Sequence, residues 1–432
     1  MGISDNSQKI GLFLPSLRGG GAEKVAVNIT NKIAEISNYS SELILMEKGN
    51  EYKDYRNVNT KYISNVNIST NPLIKLFSIF EQLFQFKKLH KENKYDTIII
   101  FLNRPIIVIL LYTFFYKKDF KLIISCRNFM SIQNKFLRSS IFNYFLNRGL
   151  YDKLIPLSEK ITDIYVTNSE LSKKDLIDNY GINPKKIKTI YNSVDTSRIS
   201  NLKKGDEKLK KRFDSLLSKQ IFLSVGSLDF QKGHDFIIKS FLHTKKSFPK
   251  SKLVLVGKGH RLRYLLRIAK EKNLSSFVYT NSAKVPLDRD IYFLGFQDNP
   301  YYFMSKSNFL VHSSLWEGLP NVIIESMFCR LPIISSDCKS GPRELLSSFE
   351  DLDYSSSKMQ VVRGGILMPT PLISKKKFKN NKKYQKLWGE VMSISLFNEK
   401  KFDKMKEYNY HKVHHFSNEK TINKWLKVAK KI

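Results

Sequence analysis

The 432-residue chain contains little cysteine, and it lacks an apolar run long enough to cross a bilayer as a helix. Its three cysteines, Cys126, Cys329 and Cys338, lie far apart without histidines at metal-ligand spacing, which argues against a disulfide framework and a structural zinc site. The most apolar run, residues 105–116, is only 12 residues long, and the chain starts with a polar stretch. We therefore expect a reduced, cytoplasmic protein.

Acidic residues are also scarce. The chain has 39 Asp and Glu against 73 Lys and Arg, which gives a formal charge of +34. Such a surface attracts nucleic acids, anionic membranes or phosphorylated ligands, although a lysine-rich composition without functional meaning is the alternative. Because no recognisable nucleic-acid module is present, we expect no nucleic-acid partner.

Short apolar segments alternate with helical stretches, as in buried parallel sheets. A charged, poorly periodic stretch over residues 197–219 separates two such series. The strands predicted before it are KIGLFLP, SELILM, TIIIFL, KLIISC, ITDIYVT and KIKTIY, and those predicted after it are IFLSVGSL, SKLVLVGKG, IYFLGF, NFLVHSS and LPIISSD. The pattern predicts an α/β protein with domains over residues 1–203 and 204–410, followed by a helical segment over 411–432.

The stretch SLWEGLPNVIIESM carries two carboxylates, Glu317 and Glu325, eight positions apart. Glu317 follows a predicted strand, where open parallel sheets bind their ligands, and Glu325 lies about one turn into the next helix. Amides at a helix start favour a phosphate, and carboxylates accept hydrogen bonds from hydroxyl groups. This loop therefore suits a sugar nucleotide, and a pair of solvated carboxylates is the alternative.

Two further loops occupy matched positions after the first strand of each half. Lys232 stands beside Gly233 in SVGSLDFQKGHDF, and the glycines of LRGGGAE allow a ligand to approach the backbone closely. Taken alone, each loop is a weak signal, because a lysine beside a glycine is more often a surface turn. Their matched positions favour a shared role in binding the same ligand.

The segment EGLPNVIIES resembles the E-x7-E signature of the retaining glycosyltransferases of family 4. The similarity extends through GGGAEKV, VGSLDFQKG, LVLVGKG, FLGFQDNP and SGPRELL. The resemblance implies the GT-B fold, with two Rossmann-like domains facing a central cleft and a C-terminal helix that crosses back to the first domain. It implies a nucleotide-sugar donor, expected to be UDP-linked, and a lipid-linked or polysaccharide acceptor in bacterial surface-glycan biosynthesis.

The resemblance also implies roles for individual residues. Glu325 would hold the nucleotide ribose, Glu317 would lie beside the donor sugar, and Lys232 would neutralise the leaving diphosphate. The expected catalytic residues are Glu317, Lys232 and Arg127. The expected donor-binding residues are Glu325, Gly20, Gly21, Gly318, Leu319, Pro320, Asn321, Ser227 and Arg261, and the expected acceptor-side residues are Asn128 and Glu23.

The chain departs from the family pattern at two places. Ser227 occupies a position where the family commonly has arginine, so a cation expected at the diphosphate is missing, and Arg261 and Arg263 are candidates to replace it. The segment ISCRNFMS has Arg127 and Asn128 where the family often has histidine. SGPREL resembles enzymes of surface-glycan assembly, which suggests that Arg343 and Glu344 shape the donor pocket.

We expect no obligatory metal ion. The D-x-D triplet at residues 351–353 lies late in the chain within a serine-rich stretch, which argues against a metal motif. Such a triplet holds a divalent ion in a different glycosyltransferase fold, where it follows an early strand. Lys232 and helix amides would take the place of the cation.

Two basic stretches rich in phenylalanine, residues 73–91 and 136–154, have the spacing of amphipathic helices. They predict peripheral attachment to an anionic membrane at its cytoplasmic face, whereas packing against a domain core is the alternative. The expected membrane contacts are Lys87, Lys88, Lys91, Arg138, Arg148, Phe80, Phe84, Phe142 and Phe145. Two other functions remain open: a glycosyltransferase acting on a soluble glycan, and a basic nucleic-acid-binding protein.

Overall fold

The computed structural model describes residues 7–17, 20–47, 58–64, 72–136, 149–280, 284–347, 352, 358–371 and 381–430. The chain forms two compact units, the first made of Met1–Ser193 and Asn418–Ile432 and the second of Val194–Ser417. The boundary differs from the predicted 203, because the N–H of Val194 donates to the carbonyl of Phe416 at 3.0 Å and so ties this segment to the second unit.

The first unit is a parallel sheet in the order β3-β2-β1-β4-β5-β6-β7. Its central strands are buried on both faces, which explains their continuous apolar sequences. Its elements are β1 (Gln8–Leu14), α1 (Gly21–Ala34), β2 (Tyr39–Leu45), β3 (Thr60–Tyr62), α2 (Pro72–Asn93), β4 (Thr97–Phe101), α3 (Arg104–Phe115), β5 (Lys121–Cys126), α4 (Met130–Phe136), α5 (Gly149–Ser158), β6 (Ile164–Thr167), α6 (Glu170–Tyr180) and β7 (Ile187–Thr189).

The second unit is a sheet in the order β10-β11-β9-β8-β12-β13-β15-β14, parallel except for the pair β14–β15. Its elements are α7 (Thr196–Leu202), α8 (Glu207–Leu217), β8 (Ile221–Val225), α9 (His234–Ser247), β9 (Lys252–Val256), α10 (Leu262–Glu271), β10 (Ser276–Val278), β11 (Ile291–Phe293), α11 (Pro300–Lys306), β12 (Phe309–His312), α12 (Asn321–Phe328), β13 (Ile333–Ser336), α13 (Pro342–Leu346), β14 (Gln360–Val362), β15 (Gly365–Met368), α14 (Lys382–Phe397) and α15 (Asp403–Lys412).

The last helix, α16 (Asn418–Ala429), belongs to the first unit. Trp425 is buried and its ring centroid lies 5.8 Å from that of Phe101 on β4. The carbonyl of Ala429 accepts hydrogen bonds from Thr97 Oγ1 at 2.8 Å and Gln8 Nε2 at 2.7 Å. Helix α16 therefore completes the core of the first unit.

The two parallel sheets confirm the predicted pair of Rossmann-like α/β units. In each sheet the chain builds outward from a first strand on one side and then crosses to its other side, between β1 and β4 in the first unit and between β8 and β12 in the second. Ligands of such sheets bind beyond the carboxyl ends of the strands at these crossover points. No helix in the described ranges is both long enough and apolar enough to span a membrane.

Candidate functional site

The loops after β8 and β12 meet at the crossover point of the second unit. Gly233 has a φ of +64°, and a Cβ there would lie 2.3 Å from the carbonyl oxygen of Ser313. Ser313 Oγ donates to the carbonyl of Lys232 at 2.9 Å, and the N–H of Leu315 donates to that of Gln231 at 2.8 Å. The glycine thus lets the two loops pack backbone to backbone, and the hydrogen bonds fix their relative position.

Glu317 lies in the second of these loops and is 5% exposed. Its Oε1 is 2.6 Å from Lys232 Nζ and 3.3 Å from His312 Nε2, while His312 Nδ1 is 2.9 Å from Ser335 Oγ. Burial by itself would raise the pKa of Glu317, but the Lys232 ammonium and the His312 hydrogen bond outweigh burial and lower it to about 2. The carboxylate is therefore ionised and held in a fixed position.

Lys232 supplies the positive charge of this pair. Its stem packs over Gly226, where a Cβ would lie 3.5 Å from the lysine Cε, and its side chain is 22% exposed. Within the described residues Glu317 is the hydrogen-bond acceptor of the ammonium, which has three donors in all. Lys232 can therefore bind Glu317 and an anionic ligand at the same time.

Glu325, the second carboxylate of the signature, has different partners. It lies half-buried on α12 and accepts a hydrogen bond from the hydroxyl of Tyr301 at 3.4 Å. The charge of Glu325 and then burial raise the pKa of Tyr301, while the charge of Arg198 acts in the opposite direction. Glu325 is thus placed by α11 and α12, whereas the loops after β8 and β12 place Glu317.

The turn from Gly318 to Asn321 is held by a neighbouring loop. Ser340 Oγ donates to the carbonyl of Gly318 at 2.7 Å, and a Cβ on Gly341 would lie 2.4 Å from Pro320 Cδ. With Leu319 the turn leads into α12, whose first residue is Asn321. The N–H groups at the start of this helix are the amides predicted to assist at the diphosphate.

Arg343 is buried in an ion pair. Its Nε donates to Asp337 Oδ1 at 3.0 Å, and its Nη2 donates to Asp337 Oδ2 and, at 2.8 Å, to Gln360 Oε1. Glu344 is fully buried, and the Nζ of Lys412 donates to its carbonyl oxygen at 3.1 Å. The contacts of Arg343 and Glu344 stabilise the loop that carries Ser340 and Gly341.

Ser227 is exposed and stands where the family commonly has arginine. The two candidates to supply the positive charge instead, Arg261 and Arg263, differ in whether that charge is already paired. Arg261 lies 3.4 Å from Asp235 and its guanidinium stacks over the ring of Tyr264 at 4.4 Å, so its charge already has an acidic partner. Arg263 is exposed on α10. Ser227 itself offers only a hydroxyl group.

Lys258, which the sequence prediction missed, is a third candidate. A Cβ on Gly257 would lie 1.8 Å from the carbonyl oxygen of Gly226, and the N–H of Leu228 donates to the carbonyl of Lys258 at 2.8 Å. The exposed Lys258 therefore emerges from the loop that packs directly against Gly226, over which Lys232 also lies. Its position between two glycines at the end of a predicted strand was the signal available in the sequence.

In the first unit, the glycine loop leads into α1. The N–H of Gly20 donates to Glu23 Oε2 at 3.0 Å, and Gly21 is the first helical residue. Glu23, predicted on the acceptor side, thus caps this helix. Gly19, the first of the three glycines, lies outside the described residues.

Arg127 and Asn128 follow β5 in the first unit. Arg127 is 6% exposed, its guanidinium donates to Asn192 Oδ1 and, at 3.4 Å, to Ser125 Oγ, and burial lowers its pKa to about 9. Asn128 is half-buried. Arg127 therefore belongs to a polar cluster of its own unit.

No group of three or more His, Cys, Asp or Glu side chains suited to a metal ion occurs among the described residues. Asp351 and Asp353 of the D-x-D triplet lie outside them. Metal independence stays a prediction.

Two family models match the chain. Glycosyltransferase Family 4 matches residues 19–198, and Glycosyl transferases group 1 matches residues 206–353. Between them, the matches include the glycine loop and Arg127 in the first unit and Lys232, Glu317 and Glu325 in the second.

Two relatives from Campylobacter jejuni are similar over most of their length. The N-acetylgalactosamine-N,N'-diacetylbacillosaminyl-diphospho-undecaprenol 4-alpha-N-acetylgalactosaminyltransferase is 32% identical over 79% of this chain and 84% of its own. The GalNAc-alpha-(1->4)-GalNAc-alpha-(1->3)-diNAcBac-PP-undecaprenol alpha-1,4-N-acetyl-D-galactosaminyltransferase is 27% identical over 79% and 83%. Among solved structures, Anabaena HepE in complex with UDP-glucose has a TM-score of 0.70 at 17% identity, over 97% of this chain and 98% of its own.

Proposed function

Since the chain belongs to the family 4 glycosyltransferases, we propose that it transfers a sugar from a nucleotide-sugar donor to a lipid-linked or polysaccharide acceptor, with retention of the sugar's anomeric configuration. The donor is UDP-linked in this proposal, and the pathway is the assembly of a bacterial surface glycan. The observation that carries it is the buried, ionised Glu317 beside Lys232 at the crossover point of the second unit.

The chemistry of the transfer follows from these charges. Negative charge builds up on the nucleoside diphosphate as the glycosidic bond breaks, and a preorganised ammonium group such as Lys232 stabilises it. The start of α12 adds backbone N–H groups to the same task. Glu317 accepts hydrogen bonds from the hydroxyl groups of the transferred sugar, and Glu325 accepts them from those of the ribose. The acceptor hydroxyl attacks from the face that the diphosphate leaves and gives its proton to the departing diphosphate, and no metal ion is needed.

The acceptor class is supported by the relatives. Both Campylobacter enzymes are named for acceptors linked to a diphospho-undecaprenol or PP-undecaprenol lipid. Such acceptors have their diphosphate at a membrane surface, so the enzyme would work at the cytoplasmic face of the cell membrane. A soluble glycan acceptor is the second candidate.

A surface of the first unit supports attachment to an anionic bilayer. Phe114 and Phe115 at the end of α3 are 81% and 55% exposed, and Phe84 on α2 is 60% exposed. Lys87 Nζ lies 4.0 Å from the ring centroid of Tyr116, which joins the two helices in one aromatic patch. The exposed lysines on these helices and in the loop after α3 are Lys87, Lys88, Lys91 and Lys117. Arg138, Phe142, Phe145 and Arg148 of the second predicted helix lie outside the described residues.

A thermal-shift panel of sugar nucleotides tests the donor, since a ligand that binds only the folded state raises Tm. We expect UDP-linked sugars to raise it and Glu325→Gln to weaken that effect without unfolding the protein. Transfer to a short-chain polyprenyl-diphosphate glycan, followed by NMR of the new anomeric proton, tests acceptor and stereochemistry. An inverted linkage, or transfer to soluble glycans alone, would overturn the corresponding part of the proposal.

A further inference from the structure

Arg127 is a buried cation surrounded by neutral groups. Its guanidinium donates to the amide oxygen of Asn192 and the hydroxyl of Ser125, and it lies 5.5 Å from the ring centroid of Phe101. In the described part of the chain, no carboxylate forms an ion pair with it. Burying a charge without a counter-ion is strongly unfavourable, so the arrangement requires a compensating partner.

The buried Arg343 and the partly buried Arg261 show what such compensation looks like. Arg343 makes two hydrogen bonds to Asp337, and Arg261 lies 3.4 Å from Asp235. The fold thus supplies an internal carboxylate to each of these two guanidinium groups. The guanidinium of Arg127 instead donates to the neutral amide of Asn192.

Two buried polar atoms on neighbouring residues have no hydrogen-bond partner among the described residues. They are Arg127 Nε, a donor, and Asn168 Oδ1, an acceptor. The amide nitrogen of Asn168 donates to the carbonyl of Arg127 at 3.2 Å, which places the two residues side by side. Buried polar groups are normally paired, so an unpartnered donor and an unpartnered acceptor on neighbouring residues suit a polar ligand.

The position of the cluster also points to a ligand. Arg127 follows β5, Asn168 follows β6, and Asn192 comes shortly after β7, and these strands are neighbours in the parallel sheet. Their side chains therefore gather at the carboxyl edge of the first unit, where ligands of such sheets bind. A phosphate oxygen would satisfy the guanidinium, and a sugar hydroxyl would donate to the amide oxygen.

We propose that Arg127, Asn168 and Asn192 form an anion site in the first unit that binds the diphosphate of the glycan acceptor. The inference rests on the proposed function. The same chemistry is present in the donor, but Lys232, Lys258 and the start of α12 already provide a phosphate site in the second unit. Arg127 then has its counter-ion only while the acceptor is bound.

The test is calorimetric titration of inorganic diphosphate and of farnesyl diphosphate into the full-length protein saturated with UDP. We expect both probes to bind the wild-type protein at a second site, with an affinity that falls as salt is added. Arg127→Gln should weaken this binding at least tenfold and leave the UDP Kd unchanged. Binding that only displaces UDP would assign the diphosphate to the donor site and overturn the inference.

Asn192→Asp provides a variant that keeps Arg127. It has nearly the same volume and gives the guanidinium an internal carboxylate, so we expect Tm to be retained or raised while diphosphate binding falls at least tenfold. Asn183→Asp is the control, because it adds the same charge to an exposed helix cap of the same unit. Equal affinities in the wild-type and Asn192→Asp proteins would overturn the anion site.

The donor proposal fails on its own if UDP-sugars do not bind the wild-type protein. In that case, inorganic diphosphate titrated without UDP still tests the site at Arg127.

Discussion

Glu317 depends on Lys232 for its negative charge. A carboxylate that is 5% exposed would be neutral without a nearby cation, yet the Lys232 ammonium at 2.6 Å keeps it ionised. Glu317 fixes the position of the Lys232 ammonium. A diphosphate that approaches Lys232 therefore meets a positive group whose orientation is already set. Preorganisation of this kind is what makes a single cation effective in catalysis.

Removing this cation should slow the enzyme strongly. We expect Lys232→Ala to lower kcat by roughly 10² or more, because the leaving diphosphate loses a preorganised charge. Lys258→Ala should have a smaller effect on kcat and should raise the donor KM. Steady-state kinetics measure both, with Arg263→Ala as the control, since Arg263 is exposed on α10. A full-rate Lys232→Ala enzyme would move the diphosphate role to Lys258.

A buried histidine in the same region should make the protein sensitive to acid. Burial, and then the charges of Lys232 and Arg261, lower the pKa of His234 to about 3, below its usual 6.5. Between these values the unfolded chain binds the proton that the folded chain excludes, so stability falls as pH drops from about 6.5 towards 3. The slope from this group is up to about 1.4 kcal/mol per pH unit.

Urea unfolding of His234→Gln at several pH values measures that slope. We expect the variant to be less stable at pH 7 but to lose less stability than wild type on acidification. His260→Gln is the control, because His260 is largely exposed and should not change the slope. Parallel stability curves for wild type and His234→Gln would contradict the prediction.

At the scale of elements, the loops after β8 and β12 are joined through a glycine that no other residue can replace without strain. In Gly233→Ala the new Cβ meets both a left-handed φ of +64° and the carbonyl of Ser313 at 2.3 Å. Gly181 offers a matched control, with a φ of +67° and nothing within 4 Å of a Cβ.

We expect Gly181→Ala to cost about 1–2 kcal/mol of folding free energy, the cost of a left-handed non-glycine residue. Gly233→Ala should cost about 1–3 kcal/mol more because of the clash, and it should also lower kcat by moving Lys232 and Glu317 apart. Denaturant melts and initial rates measure these effects. Equal losses in the two variants would show that the loop contact does not position the site.

The helices α2 and α3 present the surface expected to meet a membrane. Each lysine near an anionic surface contributes about 1 kcal/mol, and salt screens this attraction, whereas burial of aromatic area is insensitive to salt. We therefore expect liposome co-sedimentation to weaken but persist in high salt, and Phe114→Asp together with Phe115→Asp to abolish it.

Phe397→Asp is the control for this surface, because Phe397 is 72% exposed but belongs to the second unit. It should sediment with anionic liposomes as wild type does, and all three proteins should bind UDP-sugars equally. A wild-type protein that ignores anionic liposomes at low salt would remove the support for a membrane-bound acceptor and favour a soluble one.

At the scale of the whole molecule, we expect positive charge to take the role that a divalent ion has in a different glycosyltransferase fold. The chain has a formal charge of +34, and its second unit places Lys232 and Lys258 at one crossover point. We expect full activity in excess EDTA, measured by donor turnover after gel filtration into metal-free buffer. Loss of activity that Mn²⁺ restores would contradict this prediction.

The sequence predicted most of the buried strands and the edge strand β7, and it missed three edge strands and the buried β15. β8, β9, β11, β12 and β13 were all predicted, because strands buried on both faces require continuous apolar residues. The strands β3, β10 and β14 have three residues each and lie at or near sheet edges, where partial exposure removes that pattern. The two-unit α/β fold and the family were confirmed, since local patterns and motifs suffice for both.

By itself, the sequence determined the fold class, and it predicted the loops of the candidate site and the types of charged residue in them. Only the tertiary structure decided which charges remain available: Arg261 and Arg343 are bound to carboxylates, Lys232 is shared with Glu317, and Arg127 is buried without a carboxylate. The physical reason is that a strand or turn signal is local, whereas Glu317 and Asn192, the partners of Lys232 and Arg127, lie in loops that are distant in sequence and come close only in the folded protein.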